Sequence, residues 1–503
     1  MTRFSTRPVL LVACLAAGFT LKCGEPSTGG NIVGADSLGY ALRFASYLGG
    51  VGTDMIRDVA VDPQGNVYAA GSTLSRDFPT TVGVFQPLFN PAAGNLSDAF
   101  ITKFDPSGQV IWSTFLGGPG YERIYGMKVD ELGYLYVAGR AGAGFPVTAG
   151  AFQTTFGGDN NPQSAYGPTD GFVCKLKPDG TQVVFCSYFG NQDFQPIRDL
   201  AIDANHDIYV ASTTPLVGNF PAPWFANAYQ KTVRGGQDAL IAKIKGDGSR
   251  VEWATLLGGS QDESIGISVR VNATGVYVAT STKSADLPTP NGFSHTLNGT
   301  GDVYVAKLSL DGSSLLYGTF VGGSGPEGTE THHLAVDNQG NAFLAIATPL
   351  GDFPATAGAF QLHSSGKSDI LVVKVAPDGK LGAATYLGGG DSDWAEGVGL
   401  DAAGNLYLSG LTSSLDFPIT GGQGPSGGDD LIAVTLSPDL SRLLFSRRLG
   451  GSGSDYGRSV AVAASTFVVA GLSDSPNWPV SAAAHPSLSG GIDGVIAVFT
   501  RTP

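Results

Sequence analysis

Apolar positions along this chain come in short runs of strand length, and turn signals cut them apart. The first full unit shows the pattern. Asp58-Val59-Ala60-Val61-Asp62 is followed by the turn Pro63-Gln64-Gly65-Asn66 and by Val67-Tyr68-Ala69-Ala70-Gly71. A long segment containing Asp77-Phe78-Pro79 leads to Asp98-Ala99-Phe100-Ile101-Thr102-Lys103-Phe104. The turn Asp105-Pro106-Ser107-Gly108 then hands over to Val110-Ile111-Trp112-Ser113-Thr114-Phe115-Leu116. These are four strands, called a, b, c and d from here on. No helical periodicity of useful length follows residue 40.

The four-strand unit repeats. Tyr47-Leu48-Gly49-Gly50 returns in variant form at Phe115, Tyr188, Leu256, Phe320, Tyr386 and Arg448, at intervals of roughly 60–75 residues. Strand c reopens at Asp170, Asp238, Asp302, Asp369, Asp430 and Asp493, and an aromatic-proline element returns as Phe145-Pro146, Phe220-Pro221, Phe353-Pro354, Phe417-Pro418 and Trp478-Pro479, with Leu287-Pro288 as its aliphatic form. The chain starts with a lone d strand, Leu42–Leu48, and stops after a lone c strand, Val495–Phe499. An open array would leave both as unpaired edges, which soluble proteins avoid. The expected fold is therefore all-β: a seven-bladed β-propeller with four antiparallel strands per blade, closed by pairing the N-terminal strand with the C-terminal strands. Residues 41–501 form the propeller, after a 1–23 signal segment and a 24–40 tether rich in Gly, Ser and Pro.

The combination of Tyr-Leu-Gly-Gly, Asp-x-x-Gly-Asn, Asp-Phe-Pro and Asp-Ala-Phe-x-x-Lys resembles the bacterial seven-bladed β-propeller repeat family, the SBBP repeat. The likeness covers about residues 41–501. It departs most at Val269-Arg270-Val271-Asn272 and Val462-Ala463-Ala464-Ser465, which lack the Asp after strand a. The resemblance implies an exported or surface-associated protein and brings no shared catalytic residues with it.

Composition narrows the partners. The formal charge is −14, which argues against nucleic acid or an anionic membrane surface, since those need clustered Lys and Arg. The N-terminus adds an address: Arg3 and Arg7 precede an apolar stretch from Pro8 to Leu21, too short to span a membrane as a normal helix. Leu11-Val12-Ala13-Cys14 has lipobox residue types, and Cys23 is followed by the polar Gly24-Glu25-Pro26-Ser27, so either cysteine is a candidate for lipidation. Cleavage after Ala16-Ala17-Gly18 is the third option. Export to the periplasm, outer membrane or cell surface is expected, with a lipid anchor as the only membrane contact.

Cys174 and Cys186 fall near-opposite each other on one hairpin, around Pro178-Asp179-Gly180. A cross-strand disulfide and a pair of buried thiols both fit.

Strand order puts the short a–b and c–d turns on one face, and the d–a and b–c connections on the other. Long loops carry function more often than tight hairpins do. Two residue groups on the long-loop face are candidates for ligand binding. Where strand a enters the channel stand Arg57-Asp58, Tyr125, Arg198-Asp199, His332-His333, Glu396 and Arg458. They suit an anionic or sugar ligand, or else pair with one another as pore lining. The d–a loops carry Asp54, Tyr121-Glu122, Asp193-Phe194, Asp262-Glu263, Glu327, Asp393-Trp394 and Asp455-Tyr456. Paired acids and aromatics suit carbohydrate or cation recognition, or interblade packing with the acid in solvent. His332 and His333 are adjacent on a strand and point apart, so one metal ion does not draw on both. The Asp-x-x-Gly-Asn turns lack the spacing of a calcium loop. Nucleophile-elbow, zinc-protease and phosphate-loop motifs do not occur. The sequence thus points to a monomeric, cofactor-free, non-enzymatic scaffold that binds a protein or glycan at the cell surface. A structural surface-layer or adhesion component is the alternative, and a saccharide-active enzyme using mouth carboxylates is the second.

Overall fold

The computed structural model describes residues 38–501 except 91–95, 159–166, 193–194, 216–219, 422–423, 425–426 and 483. Cys14, Cys23, the 1–23 segment and Asp193-Phe194 lie outside the described residues. The strands form seven four-stranded sheets, and within each sheet the strands are hydrogen-bonded in the order a-b-c-d. Blades 1 to 6 span 54–116, 123–189, 199–257, 263–321, 334–387 and 393–449. Blade 7 takes its first three strands from 455–501 and its fourth from Tyr40–Leu48, which pairs antiparallel with Asp493–Arg501. The seam is tied further by a reciprocal pair, Ala45 N–H to Ser481 O at 2.8 Å and Ser481 N–H to Ala45 O at 2.9 Å, and by Tyr47 N–H to His485 O at 3.1 Å.

Most strand positions are buried on both faces, because each blade is covered by a neighbour. The core is therefore a ring of interblade layers. Ile101 and Leu116 of blade 1, for instance, pack with Ile124, Val137 and Cys174 of blade 2. The aromatic-proline elements are anchored within their own blades. The Tyr188 hydroxyl donates to Gly142 O at 2.9 Å and accepts from Phe145 N–H at 3.0 Å; Tyr47 holds Ser475 and Trp478 in the same way. The Asp-x-x-Gly-Asn elements are Asx turns. Asp62 Oδ1 accepts the N–H groups of Gln64 and Asn66, and its Oδ2 accepts the Asn66 side-chain amide. Cys174 and Cys186 are directly opposed in register and are disulfide-bonded.

The glycines of the repeat motif do more than turn the chain. The first sits between two carboxyl groups, one opening strand c of its own blade and one opening strand a of the next; a Cβ at Gly49 would lie 2.7 Å from both Asp493 and Asp54. The N–H of the second donates to the strand-a acid: Gly50 to Asp54 at 2.8 Å, Gly118 to Glu122 at 3.0 Å, Gly389 to Asp393 at 2.8 Å. The same arrangement couples Asp98 with Glu122, Asp238 with Glu263, Asp302 with Glu327, Asp369 with Asp393 and Asp430 with Asp455. At the junction of blades 2 and 3 the strand-a partner is Gln195, whose Oε1 accepts Asn191 N–H at 3.1 Å. These acids stand almost fully buried, not in solvent on the loops. Burial pushes them upward, Asp98 to about 7 and Glu122 to about 8; the Asp98 charge raises Glu122 further, while hydrogen bonds from Asn90, Glu122 and Gln86 restrain Asp98.

Candidate functional site: the channel and its mouth

A backbone irregularity aims the mouth residues. Strand a carries a β-bulge between Ile56 and Asp58, Ile124 and Gly126, Ala395 and Gly397, and Gly457 and Ser459. The extra residues are Arg57, Tyr125, Glu396 and Arg458. A bulge re-aims the side chain it inserts, and here it presents these four toward the channel. Strand b makes room with glycine: a Cβ at Gly71, Gly139, Gly410 or Gly471 would run into the carbonyl of Met55, Arg123, Trp394 or Tyr456. Arg198 takes the matching place just before Asp199–Ile202, its N–H donating to Ala211 O at 2.8 Å. His332 does so in blade 5, in the left-handed region at φ 66°.

The mouth gathers around Tyr125. The guanidinium of Arg198 lies 4.2 Å from the ring centroid, Arg140 5.7 Å, Arg123 5.8 Å and Arg57 5.9 Å. Burial opposes ionisation of the Tyr125 hydroxyl, but Arg140, Arg198, Arg123 and Arg57 outweigh it and push the group down to about 7. Arg198 pairs with Glu330 at 3.0 Å, and Arg458 pairs with Glu396. Burial raises Glu396 against the pull of Arg458. Arg57 has no hydrogen bond or ion pair among the described residues. Burial, with Arg458 and Arg123 beside it, lowers it to about 9.

Below the mouth, His332 crosses the channel. Its Nε2 meets Tyr125 O of blade 2 at 2.7 Å, and its Nδ1 lies 3.5 Å from Asp199 of blade 3 and 3.9 Å from Asp58 of blade 1. Its own carbonyl accepts Val398 N–H of blade 6 at 2.9 Å. Both ring nitrogens face oxygens. One side chain thus joins blades 1, 2, 3 and 5, and its backbone adds blade 6.

Asp58 accepts Ser459 Oγ at 2.6 Å and Met127 N–H at 2.7 Å, with Lys128 Nζ at 3.5 Å. Asp199 accepts Val269 N–H at 3.1 Å and pairs with Arg270 at 2.5 Å. Burial alone would raise both acids. His332 and Lys128 hold Asp58 below the ordinary carboxylate range, and Arg270 and His332 do so for Asp199. A cavity of about 310 Å³ lies on the a–b turn side of this belt, with Lys128, Arg270 and His332 among its polar lining and Val61, Val129 and Leu400 among its apolar walls.

The remaining sequence candidates sit apart. His333 turns away from the channel, its Nδ1 2.7 Å from Glu330 O and 3.2 Å from Ser268 Oγ, and burial lowers it to about 4. Trp394 is 37% exposed, and the Tyr456 hydroxyl donates to Asp429 at 3.1 Å. Among the described residues no group of three or more His, Cys, Asp or Glu is placed to hold a metal ion, and no helix is long and apolar enough to cross a membrane. A groove of about 590 Å³ outside blades 3 and 4 runs past Trp224 and Trp253. Trp253 donates to Leu310 O at 3.2 Å and leans on the Gly312 turn, so blade packing accounts for it.

Sequence reasoning missed Arg123, Arg140, Lys128, Arg270 and Glu330. Arg123 and Arg140 are register partners on strands a and b, and two arginines facing each other in otherwise apolar strands were the signal available.

Residues 43–79 match the family model described as beta-propeller repeat, SBBP. Regulatory protein FlaEY of Caulobacter vibrioides is 23% identical over 191 residues, 37% of this chain and 18% of the relative, so the match spans less than a fifth of that protein. Among solved structures, the WD40 β-propeller domain of Doa1 is 13% identical with a TM-score of 0.46, covering 92% of this chain and 98% of that one. The quinohemoprotein alcohol dehydrogenase of Comamonas testosteroni is 10% identical with a TM-score of 0.40, covering 93% and 77%. Likenesses this distant transfer no function. The chain is a seven-bladed β-propeller in which residues 43–79 match the SBBP-type beta-propeller repeat.

Proposed function

We propose that the protein is an exported, non-enzymatic propeller that serves as a binding scaffold at the cell envelope, presenting its d–a and b–c face to a protein or glycan. The observation that carries this reading is the channel mouth. Arginines and Tyr125 are fixed there by bulges and interblade contacts, and His332 crosses the channel beneath them. Such a floor favours docking onto the face over passage into a deep pocket. Trp394 and Tyr456 stand at the start of neighbouring inner strands on that face and would supply contact area.

The test is binding to a glycan array and to purified envelope proteins. The wild type is compared with the Trp394→Ala/Tyr456→Ala double variant and with Gln64→Ala on the opposite face. Loss of a specific interaction in the first variant alone is expected. Equal binding by all three proteins would refute the face assignment. Turnover of a saccharide that Glu396→Gln abolishes in a folded protein would replace the scaffold with an enzyme.

A further inference from the structure

Resting on that reading, we infer that the channel mouth binds an oxyanion, a carboxylate, phosphate or sulfate group of the scaffold's ligand. Arg57 is its primary contact, and Arg198, Arg458 and the Tyr125 hydroxyl stand around it. Three observations support the site. First, the Arg57 guanidinium has no hydrogen-bond or ion-pair partner among the described residues, and it leans on the Tyr125 ring at 5.9 Å. A buried or half-buried cation without a partner costs free energy that a bound anion returns.

Second, the Nε atoms of Arg57, Arg198 and Arg458 are all buried without a hydrogen-bond partner, although Arg198 and Arg458 each spend one terminal nitrogen on a glutamate. Arg198 is only 7% exposed, so water does not readily reach it. Third, the Tyr125 hydroxyl makes no hydrogen bond among the described residues and sits where four guanidinium groups surround its ring. A planar guanidinium fork matches the spacing of carboxylate and phosphate oxygens, which a chloride ion does not offer. The belt below differs, because Asp58 and Asp199 already occupy Lys128, Arg270 and His332.

The experiment is calorimetric titration of the full chain with sodium sulfate, phosphate and acetate, against sodium chloride at matched ionic strength. Saturable binding of at least one oxyanion is expected. Its occupation would also raise the pH at which Tyr125 ionises, followed by tyrosinate absorbance, since a second negative charge beside the phenolate disfavours it. Arg57→Gln should weaken binding by about tenfold or more, the loss of one charge-assisted hydrogen bond. It should keep the wild-type melting temperature in chloride or exceed it, because the Arg57 side chain has no hydrogen bond or ion pair among the described residues to lose.

Arg458→Gln gives an independent second reading, with a smaller loss. No saturable binding beyond chloride, or an identical response from Arg57→Gln, overturns the proposal. Which of acetate, phosphate and sulfate binds tightest assigns the ligand's acidic group. Loss of anion binding with partner capture by the face intact would sink this inference and leave the scaffold reading standing.

Discussion

Replacing Glu122 by Gln changes one proton at the junction of blades 1 and 2 and leaves its shape intact. Glu122 and Asp98 flank Gly117, both fully buried; Glu122 accepts N–H groups from Gly118 at 3.0 Å and Gly142 at 3.1 Å. Burial holds Glu122 at about 8 and Asp98 at about 7, so the folded junction keeps a proton that the unfolded chain releases near 4.5. A raised acid stabilises the fold below its unfolded pKa and loses that contribution as pH climbs to its folded value. The stability of the wild type should therefore fall between about pH 4.5 and 8, by up to about 1.4 kcal/mol per pH unit for each raised acid. Gln keeps one of the two accepted hydrogen bonds, since its amide nitrogen cannot accept the other, and offers a donor to Asp98 without ionising. At the blade 2–3 junction a glutamine, Gln195, already stands in the place of the strand-a acid, its amide donating to Asn191 and Thr214. The stability of Glu122→Gln relative to wild type should be about 2.5 kcal/mol more favourable at about pH 7 than at about pH 5, because the lost hydrogen bond costs the same at both. Urea unfolding followed by tryptophan fluorescence across that range measures both. An equal stability difference at the two pH values would refute the raised-acid account.

Three further outcomes follow from the same geometry. His332→Leu should cost about 3 kcal/mol, since it strips a partner from Asp58, Asp199 and the Tyr125 carbonyl while Lys128 and Arg270 remain; denaturant unfolding reads it, and no change would mean that the crossing contributes nothing. Deleting residues 41–50 removes Phe44, Tyr47 and Leu48, each worth about 1.5–3 kcal/mol of burial, and leaves the Asp493–Arg501 strand an open edge. Calorimetry should show a far larger drop in melting temperature than deleting residues 80–88 of the blade 1 b–c segment, and equal drops would count against closure by this strand. Cys174→Ala/Cys186→Ala should lower stability by roughly 2–3 kcal/mol relative to the oxidised protein, given a sequence separation of 12; the same melting curve for oxidised, reduced and substituted protein would exclude a stabilising bond.

The repeat was legible because it is local chemistry. Apolar runs, Asx turns and paired glycines must recur wherever the same four-stranded sheet is built, and unpaired first and last strands leave closure as the way to remove two edges. The aromatic-proline element and the Asp-x-x-Gly-Asn turn were also correctly readable as structure, since both act within their own blade. The loop acids were not. Glu122 looks like a solvent-facing d–a residue until Asp98, from a strand 24 positions earlier, is brought beside it across Gly117. Hydropathy cannot register a carboxyl that is buried because another carboxyl shares its site.

The mouth shows the same division. Sequence order placed Arg57, Tyr125, Arg198, His332, Glu396 and Arg458 at the entrance of strand a, because position in the repeat sets height along the channel. Which of them meet depends on bulges and on angle around the ring. Only the closed ring turns His332 across to a carbonyl 207 residues away, supplies Arg458 with Glu396, and leaves the Arg57 guanidinium without a hydrogen-bond or ion-pair partner among the described residues. By itself the sequence determined the number of blades and their strand order. The tertiary structure decided the pairings, because a buried charge is set by whatever neighbour closure brings to it.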